Sequence, residues 1–366
     1  MTTGDLISQI SSDELLAGLD SDPNLFMIDV RERDEVAEWK IPGVHNIPLN
    51  QLGAELATVP RSAHLVLICA KGARALQGAE VLAENGIESS VLEGGMGAWA
   101  GTYDSVTGNF GGATVVQLRR RGKGCLSYVV GAGERCVVID PSLDVEHCVA
   151  AAIKHDWKIT HVLDTHLHAD HLSGARALVA RTGATLLLSP SDPFQFEFEA
   201  LSDGRRIELA PQVEIMVSAV SVPGHTEGST MYQLGASAIF TGDTLFLESV
   251  GRPDLAEQAE VFAHNLYRSL HERVLPLSDS TVVFPAHYGA AVEVHVDQFV
   301  ARSLGDLRHT LPALTLSEAD FVAWAIANVK DRPPNYQRIV GINAGREALN
   351  DDAGELELGP NRCAIA

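Results

Sequence analysis

The chain lacks any apolar run on the scale of a membrane span. Stretches such as Leu65–Ala70 and Leu186–Leu188 fall far short of the roughly 20 residues that a helical span needs. No basic segment followed by an apolar core opens it, because Met1–Ser12 reads as a polar lead-in to a helix. These absences set the expectation of a cytoplasmic protein with no membrane partner. Cysteine is sparse: Cys69, Cys125, Cys136, Cys148 and Cys363 are odd in number, and no two have CxxC spacing. That argues against a disulfide framework or a thiolate zinc cluster, and only Cys69 calls for more than packing. Internal repeats and low-complexity runs are missing. Basic residues are few, 27 Lys+Arg against 48 Asp+Glu, so the surface repels a polyanion and nucleic acid is not an expected partner.

What is present suits globular folding. The 366 residues, 46% of them hydrophobic, are enough for two or three domains with real cores. A Gly-, Thr- and Ser-containing stretch, Gly101–Gly112, has no sustained period and reads as a linker. Before it, strands expected at Leu25–Val30, His64–Cys69 and Val91–Leu92 alternate with helices at Ser11–Leu19, Arg33–Lys40 and Ala73–Asn85. That βαβ rhythm implies a mostly parallel sheet with helices on its faces. After it, Ala113–Arg119, Leu126–Gly131 and Cys136–Asp140 read as consecutive antiparallel strands with Gly turns. Helices at Val145–His155, Gly174–Thr182 and Glu260–Arg273 then mix with strands at Ile159–Leu163, Thr185–Leu188, Val213–Val220 and Ser237–Thr241. The fold class is therefore α/β throughout: an α/β domain over residues 1–104, a linker over 105–112 and an αββα sandwich over 113–366. A helix expected at Glu318–Val329 has Ser317 and Asp320 at its start, and Pro333-Pro334 imposes extended chain beyond it.

Two constellations carry chemistry. Cys69-Ala-Lys-Gly-Ala-Arg74 lies between a strand and the start of a helix. There the unsatisfied backbone N–H groups and the positive end of the helix dipole favour an anion. With Lys71 and Arg74 nearby, the thiolate is the expected state, and it is the form that attacks sulfur. Gly72 lets the loop turn tightly enough for successive amides to face one sulfur. The loop form Cys-x-x-Gly-x-Arg resembles the rhodanese domain. So do the flanks Leu25–Arg31, Ile41–Leu49 and Leu92–Trp99. The resemblance implies that Cys69 carries a persulfide and exchanges it with thiosulfate, sulfite or a thiol. Dual-specificity phosphatases have one more residue between Cys and Arg, a wider cradle that suits phosphate.

The second constellation is Thr165-His-Leu-His-Ala-Asp-His171, four potential metal ligands in six residues after a strand. Packed together, His166, His168, Asp170 and His171 call for a cation. Pro223–Ser229, around His225, and Phe240–Leu245, around Asp243, complete a pattern that resembles the metallo-β-lactamase superfamily over residues 113–290. Within it, resemblance to persulfide dioxygenases of the ethylmalonic-encephalopathy type implies His166, His225 and Asp243 as a facial triad. Such a triad leaves positions on a mononuclear Fe(II) open for O2 and the substrate sulfur. His168, Asp170 and His171 would then orient the ligands. Glyoxalase II instead uses all of these, with a later His such as His287, for dinuclear zinc or zinc and iron in thioester hydrolysis. Spacing alone leaves both fillings open.

Gly124–Tyr128 and Val250–Leu255 are of the dioxygenase type, and fusion to a rhodanese domain points the same way. Arg252, with its fork of donors, is the expected substrate-binding residue, joined by Thr226 and Tyr288. The dioxygenases often show Pro-Ala-His-Asp-Tyr-x-Gly, whereas this chain has Pro285-Ala-His-Tyr-Gly-Ala-Ala291, which leaves the carrier thiol open. The resemblance implies a thiol persulfide, glutathione persulfide above all, as substrate, and it allows a homodimer.

Overall fold

The computed structural model describes residues 3–210, 215–254, 258–289, 291–329, 332, 335–350 and 353–365. The start of the expected strand at Val213, Leu255 of the Val250–Leu255 segment and the expected extended Pro333-Pro334 lie outside them. The chain divides into two compact units: residues 1–104 with 120–123 and 358–360, and residues 105–119 with 124–357 and 361–366.

The first unit holds strands β1 (Ile7–Ile10), β2 (Leu25–Asp29), β3 (His45–Asn46), β4 (His64–Ile68) and β5 (Ser89–Leu92), in the order β1-β5-β4-β2-β3. Every pairing is parallel. Along β4, Leu65 and Leu67 enter one apolar cluster while Val66 and Ile68 enter another. The side-chain period of two thus buries both faces under helices, as a parallel sheet requires. Ser11 caps the helix Ser12–Ser21, accepting from Glu14 N while Glu14 returns a bond to its backbone.

Apart from the strand-end residues Tyr103, Asp104 and Arg120, the second unit holds β6 (Tyr103–Phe110), β7 (Ala113–Arg120), β8 (Cys125–Ala132), β9 (Arg135–Ile139), β10 (Lys158–Leu163), β11 (Thr185–Leu188) and β12 (Glu199–Ala200), ordered β12-β11-β10-β9-β8-β7-β6 in one sheet. A second sheet runs β13 (Arg206–Ala210), β14 (Ile215–Ser221), β15 (Thr230–Leu234), β16 (Ala238–Gly242), β17 (Val282–Pro285), β18 (Arg302–Ser303). Tyr128, Val137 and Leu163 of the first meet Val217, Tyr232, Phe240 and Phe284 of the second in one core. Separate clusters pack helices 146–154 and 175–182 on one outer face, and helices 259–268, 304–310 and 318–327 on the other. This is the αββα sandwich expected from the sequence.

Two local expectations need correction. Residues 103–110, read as linker, form an edge strand: Val106 is buried while its neighbours are exposed or half-buried, a pattern too weak to register as a period. The helix expected over Glu260–Arg273 is α-helical over Ala259–Arg268 and continues as a π-turn to Val274. No helix among the described residues is long and apolar enough to cross a membrane.

Candidate active sites

In the first unit, β4 delivers Cys69 to the loop that opens the helix Ala73–Glu84. Gly72 has φ +100°, a conformation open to glycine at little cost, and it turns its N–H onto Cys69 Sγ at 3.1 Å. The loop backbone is held from the other side, with Met96 N donating to Cys69 O and Gly97 N to Ala70 O. Arg74 is fixed by Glu35 through two bonds of 2.7 and 2.8 Å. Arg74 in turn lowers the Glu35 carboxyl to about 2. Lys71 is exposed and lines a cavity of about 700 Å³ with Ser8, Gln9, Leu76 and Glu93.

In the second unit, the candidate ligand residues come from strand ends. β10 runs into the His166–His171 loop, the β14–β15 connection carries His225, β16 ends before Asp243, and β17 ends before His287. His166 Nε2 and His225 Nε2 each lie 3.5 Å from Asp243 Oδ2. All three atoms are buried and without a hydrogen-bond partner. Burying such groups unpaired is costly unless a cation satisfies them.

The hydrogen bonds behind the rings fix their tautomers. His225 Nδ1 meets the Arg252 carbonyl at 2.9 Å, and a carbonyl only accepts, so Nδ1 carries the proton and Nε2 presents a lone pair. Thr165 Oγ1 donates to Asp140 Oδ2 and lies 2.9 Å from His166 Nδ1. Its own proton being committed, it accepts from Nδ1–H, which leaves His166 Nε2 bare. Burial pushes His225 down to about 4, keeping it neutral. Burial also opposes a charge on His166, but Asp243 and Asp140 outweigh it and raise that ring's basicity. The site's negative charge therefore attracts a proton or a cation.

The remaining motif residues are tied to each other. Asp140 accepts from Thr165 N at 2.6 Å and sits 3.1 Å from His168 Nε2; burial, then His166 and His171, pushes His168 down to about 3. His287 bridges two carboxylates, with Nδ1 2.7 Å from Asp243 Oδ1 and Nε2 3.0 Å from Asp170 Oδ2. Burial works against its charge, but Asp170 and Asp243 outweigh it and raise His287 well above its ordinary range. Asp170 also lies 3.2 Å from His171 Nδ1 and accepts from Asn361 Nδ2 at 2.7 Å. A second group of potential ligands, Cys125, Asp170, His171 and His287, is thus assembled; Asp170 and His287 are joined in ion pairs, while His171 Nε2 has no hydrogen-bond partner.

A rhodanese-like domain model matches residues 11–102, and a metallo-beta-lactamase superfamily model matches residues 120–287. Mouse (Mus musculus) mitochondrial persulfide dioxygenase ETHE1 is 30% identical over 203 residues, 54% of this chain and 74% of that protein. The chain belongs to the persulfide dioxygenase family. The solved ETHE1 of Myxococcus xanthus superposes on this family member with a TM-score of 0.56 at 27% identity, over 64% of this chain and 99% of that one. The hydroxyacylglutathione hydrolase of Rhodospirillum rubrum is 37% identical over 156 residues, but the match spans only 57% of that protein.

Of the residues expected at the substrate, Tyr288 is half-buried beside His287, its N–H bonded to Gly124 O. Arg252 is buried, and its guanidinium is committed to both oxygens of Asp254 and to the Arg362 carbonyl. Thr226 Oγ1 bonds to Asp192. The Thr226 contact ties down the His225 loop, and the Arg252 contacts tie its segment to the Arg362 carbonyl. Sequence reasoning missed several residues that this persulfide dioxygenase family member folds around the candidate metal site. Asn343 Nδ2 holds the carbonyls of His168 and His171, and Glu357 accepts from Leu172 N. Cys363, treated as packing, places a thiol against Asp243. Burial, with Asp170 and Asp243, pushes it well above its ordinary range. Cys125, buried in the core, also stands within reach of Asp170, His171 and His287. Only Asp140 left a signal, as an acidic residue at a strand end before Pro141.

Proposed function

We propose that this chain oxidises a low-molecular-weight persulfide with O2 at a mononuclear Fe(II) held by His166, His225 and Asp243: R-S-SH + O2 + H2O → R-SH + sulfite + 2 H+. Glutathione persulfide is the preferred substrate. The observation that carries this reading is the contrast between two ligand groups. His166 Nε2, His225 Nε2 and Asp243 Oδ2 are all buried without partners, whereas in the second group His171 Nε2 is unpartnered but His287 is taken up by Asp170 and Asp243. Two imidazoles and one carboxylate oxygen suit a facial triad, and iron would supply adjacent positions for sulfur and oxygen.

The chain's own residues do the rest. Asp140 and Thr165 hold His166 in the ligating tautomer, and the Arg252 carbonyl does so for His225. His287 stands between Asp170 and Asp243 beside the site, and Tyr288 is the substrate-side residue. In the first unit, Cys69 carries sulfane sulfur, with Gly72 N–H stabilising its charge and Glu35 aiming Arg74 at the loop. Thiosulfate or sulfite is the small-molecule partner of that half.

Anaerobically purified protein should contain about one iron per chain and consume O2 with glutathione persulfide. Two metals per chain, thioester turnover and no O2 uptake would establish the glyoxalase II-type reading instead.

A further inference from the structure

Asp192 lies outside both loops that carry the imidazole ligands, yet its carboxylate joins them. It follows β11 in the turn Ser189-Pro-Ser-Asp-Pro193. Two prolines stiffen this turn, and the residue before a proline is confined to extended backbone. The side chain is buried. Asp192 Oδ2 accepts from Leu167 N at 2.8 Å, the amide between His166 and His168, and from Thr226 Oγ1 at 3.1 Å, the residue after His225. Asp192 Oδ1 accepts from Gly228 N at 2.9 Å. The loops are also joined by Thr230 N donating to Thr165 O at 2.7 Å.

The contact leaves no slack. A Cβ on Gly228 would stand 2.5 Å from Asp192 Cγ and 2.9 Å from its N, so the second loop reaches the carboxylate only because residue 228 has no side chain. A carboxylate is also required. It alone accepts on both oxygens, whereas an amide would turn an N–H2 group toward the Gly228 or the Leu167 N–H and forfeit that bond.

We propose that Asp192 is a positioning residue for the metal. It clasps the His166 and His225 loops at the separation that brings both Nε2 atoms onto one cation. This inference rests on the reading that His166, His225 and Asp243 bind metal, and it holds whichever reaction the metal performs.

The test uses the full chain, freed of metal and titrated anaerobically with cobalt(II), whose visible spectrum reports coordination geometry. Wild type is compared with Asp192→Asn and Gly228→Ala, with melting of the metal-free proteins as the folding control. Asp192→Asn should bind cobalt about 10–100-fold more weakly, the usual effect of losing a group that orients metal ligands, with a changed visible band. Gly228→Ala keeps the carboxylate but displaces it, and should shift affinity and band in the same direction by less. Wild-type affinity and spectrum in both folded variants would overturn the clasp. If Asp192→Asn does not fold, an unchanged Gly228→Ala overturns it alone. A wild-type protein that binds no cobalt would overturn the metal reading itself, a separate result.

Discussion

Replacing Thr165 by Val keeps the shape of the side chain and removes one oxygen. In the native site that oxygen donates to Asp140 at 2.9 Å and accepts from His166 Nδ1 at 2.9 Å. Its loss leaves a buried carboxylate one donor short and a ligand ring with no partner behind it. Hydrogen bonds to charged groups contribute about 1.5–3 kcal/mol each, while Thr165 N keeps its own bond to Asp140. The folded metal-free protein should therefore lose about 2–3 kcal/mol. Metal affinity should fall about 10–100-fold, because His166 can now place its proton on the ligating nitrogen. Denaturant unfolding of the metal-free chain and a competitive iron(II) titration measure the two effects. Thr165→Ser keeps the hydroxyl and should recover most of the affinity. A Val variant that binds iron as tightly as wild type, or a Ser variant no better than Val, would refute the tautomer argument.

Other substitutions separate the two halves of the chain. Cys69→Ser should abolish sulfur transfer from thiosulfate to cyanide and leave O2 uptake with added persulfide intact; loss of both would show that the sites are not independent. Glu35→Gln should slow sulfur transfer by freeing Arg74, with a modest stability cost because the pair is partly exposed. That cost has a defined pH window. The Glu35 carboxyl is lowered to about 2 by Arg74, so its stabilisation is complete above the ordinary carboxyl range near 4.5 and is lost as pH falls toward 2. Wild type and Glu35→Gln should thus converge in stability across that interval, as read by melting at stepped pH. Arg252→Lys cannot span Asp254 and the Arg362 carbonyl together, so limited proteolysis should cut the Arg362–Cys363 region faster than in wild type.

How much the sequence disclosed depended on how local each feature is. The Cys69–Arg74 and His166–His171 loops were legible because chemistry, strand end and helix start fall within a few residues. The two-layered sandwich followed from strands whose apolar period survives in a short window. Edge strand β6 was not legible, because alternation is weak where one face is half exposed. The missed site residues share another cause. Asp140, Asp192, Asn343, Asn361 and Cys363 reach the metal loops across 25 or more positions or through the tail, and no spacing rule encodes that return. Arg252 is expected at the substrate from the Val250–Leu255 resemblance and its fork of donors, and the pairing of that fork with Asp254 and the Arg362 carbonyl is a long-range contact that no spacing encodes.

In the proposed reaction one metal, held by His166, His225 and Asp243, oxidises persulfide while His287 between Asp170 and Asp243 closes the second position. Iron content and O2 consumption, measured on the same anaerobically prepared sample, test it most directly. About one iron per chain, with one O2 consumed per glutathione persulfide, is the expected result. Two metals per chain with no persulfide-dependent O2 consumption would contradict it.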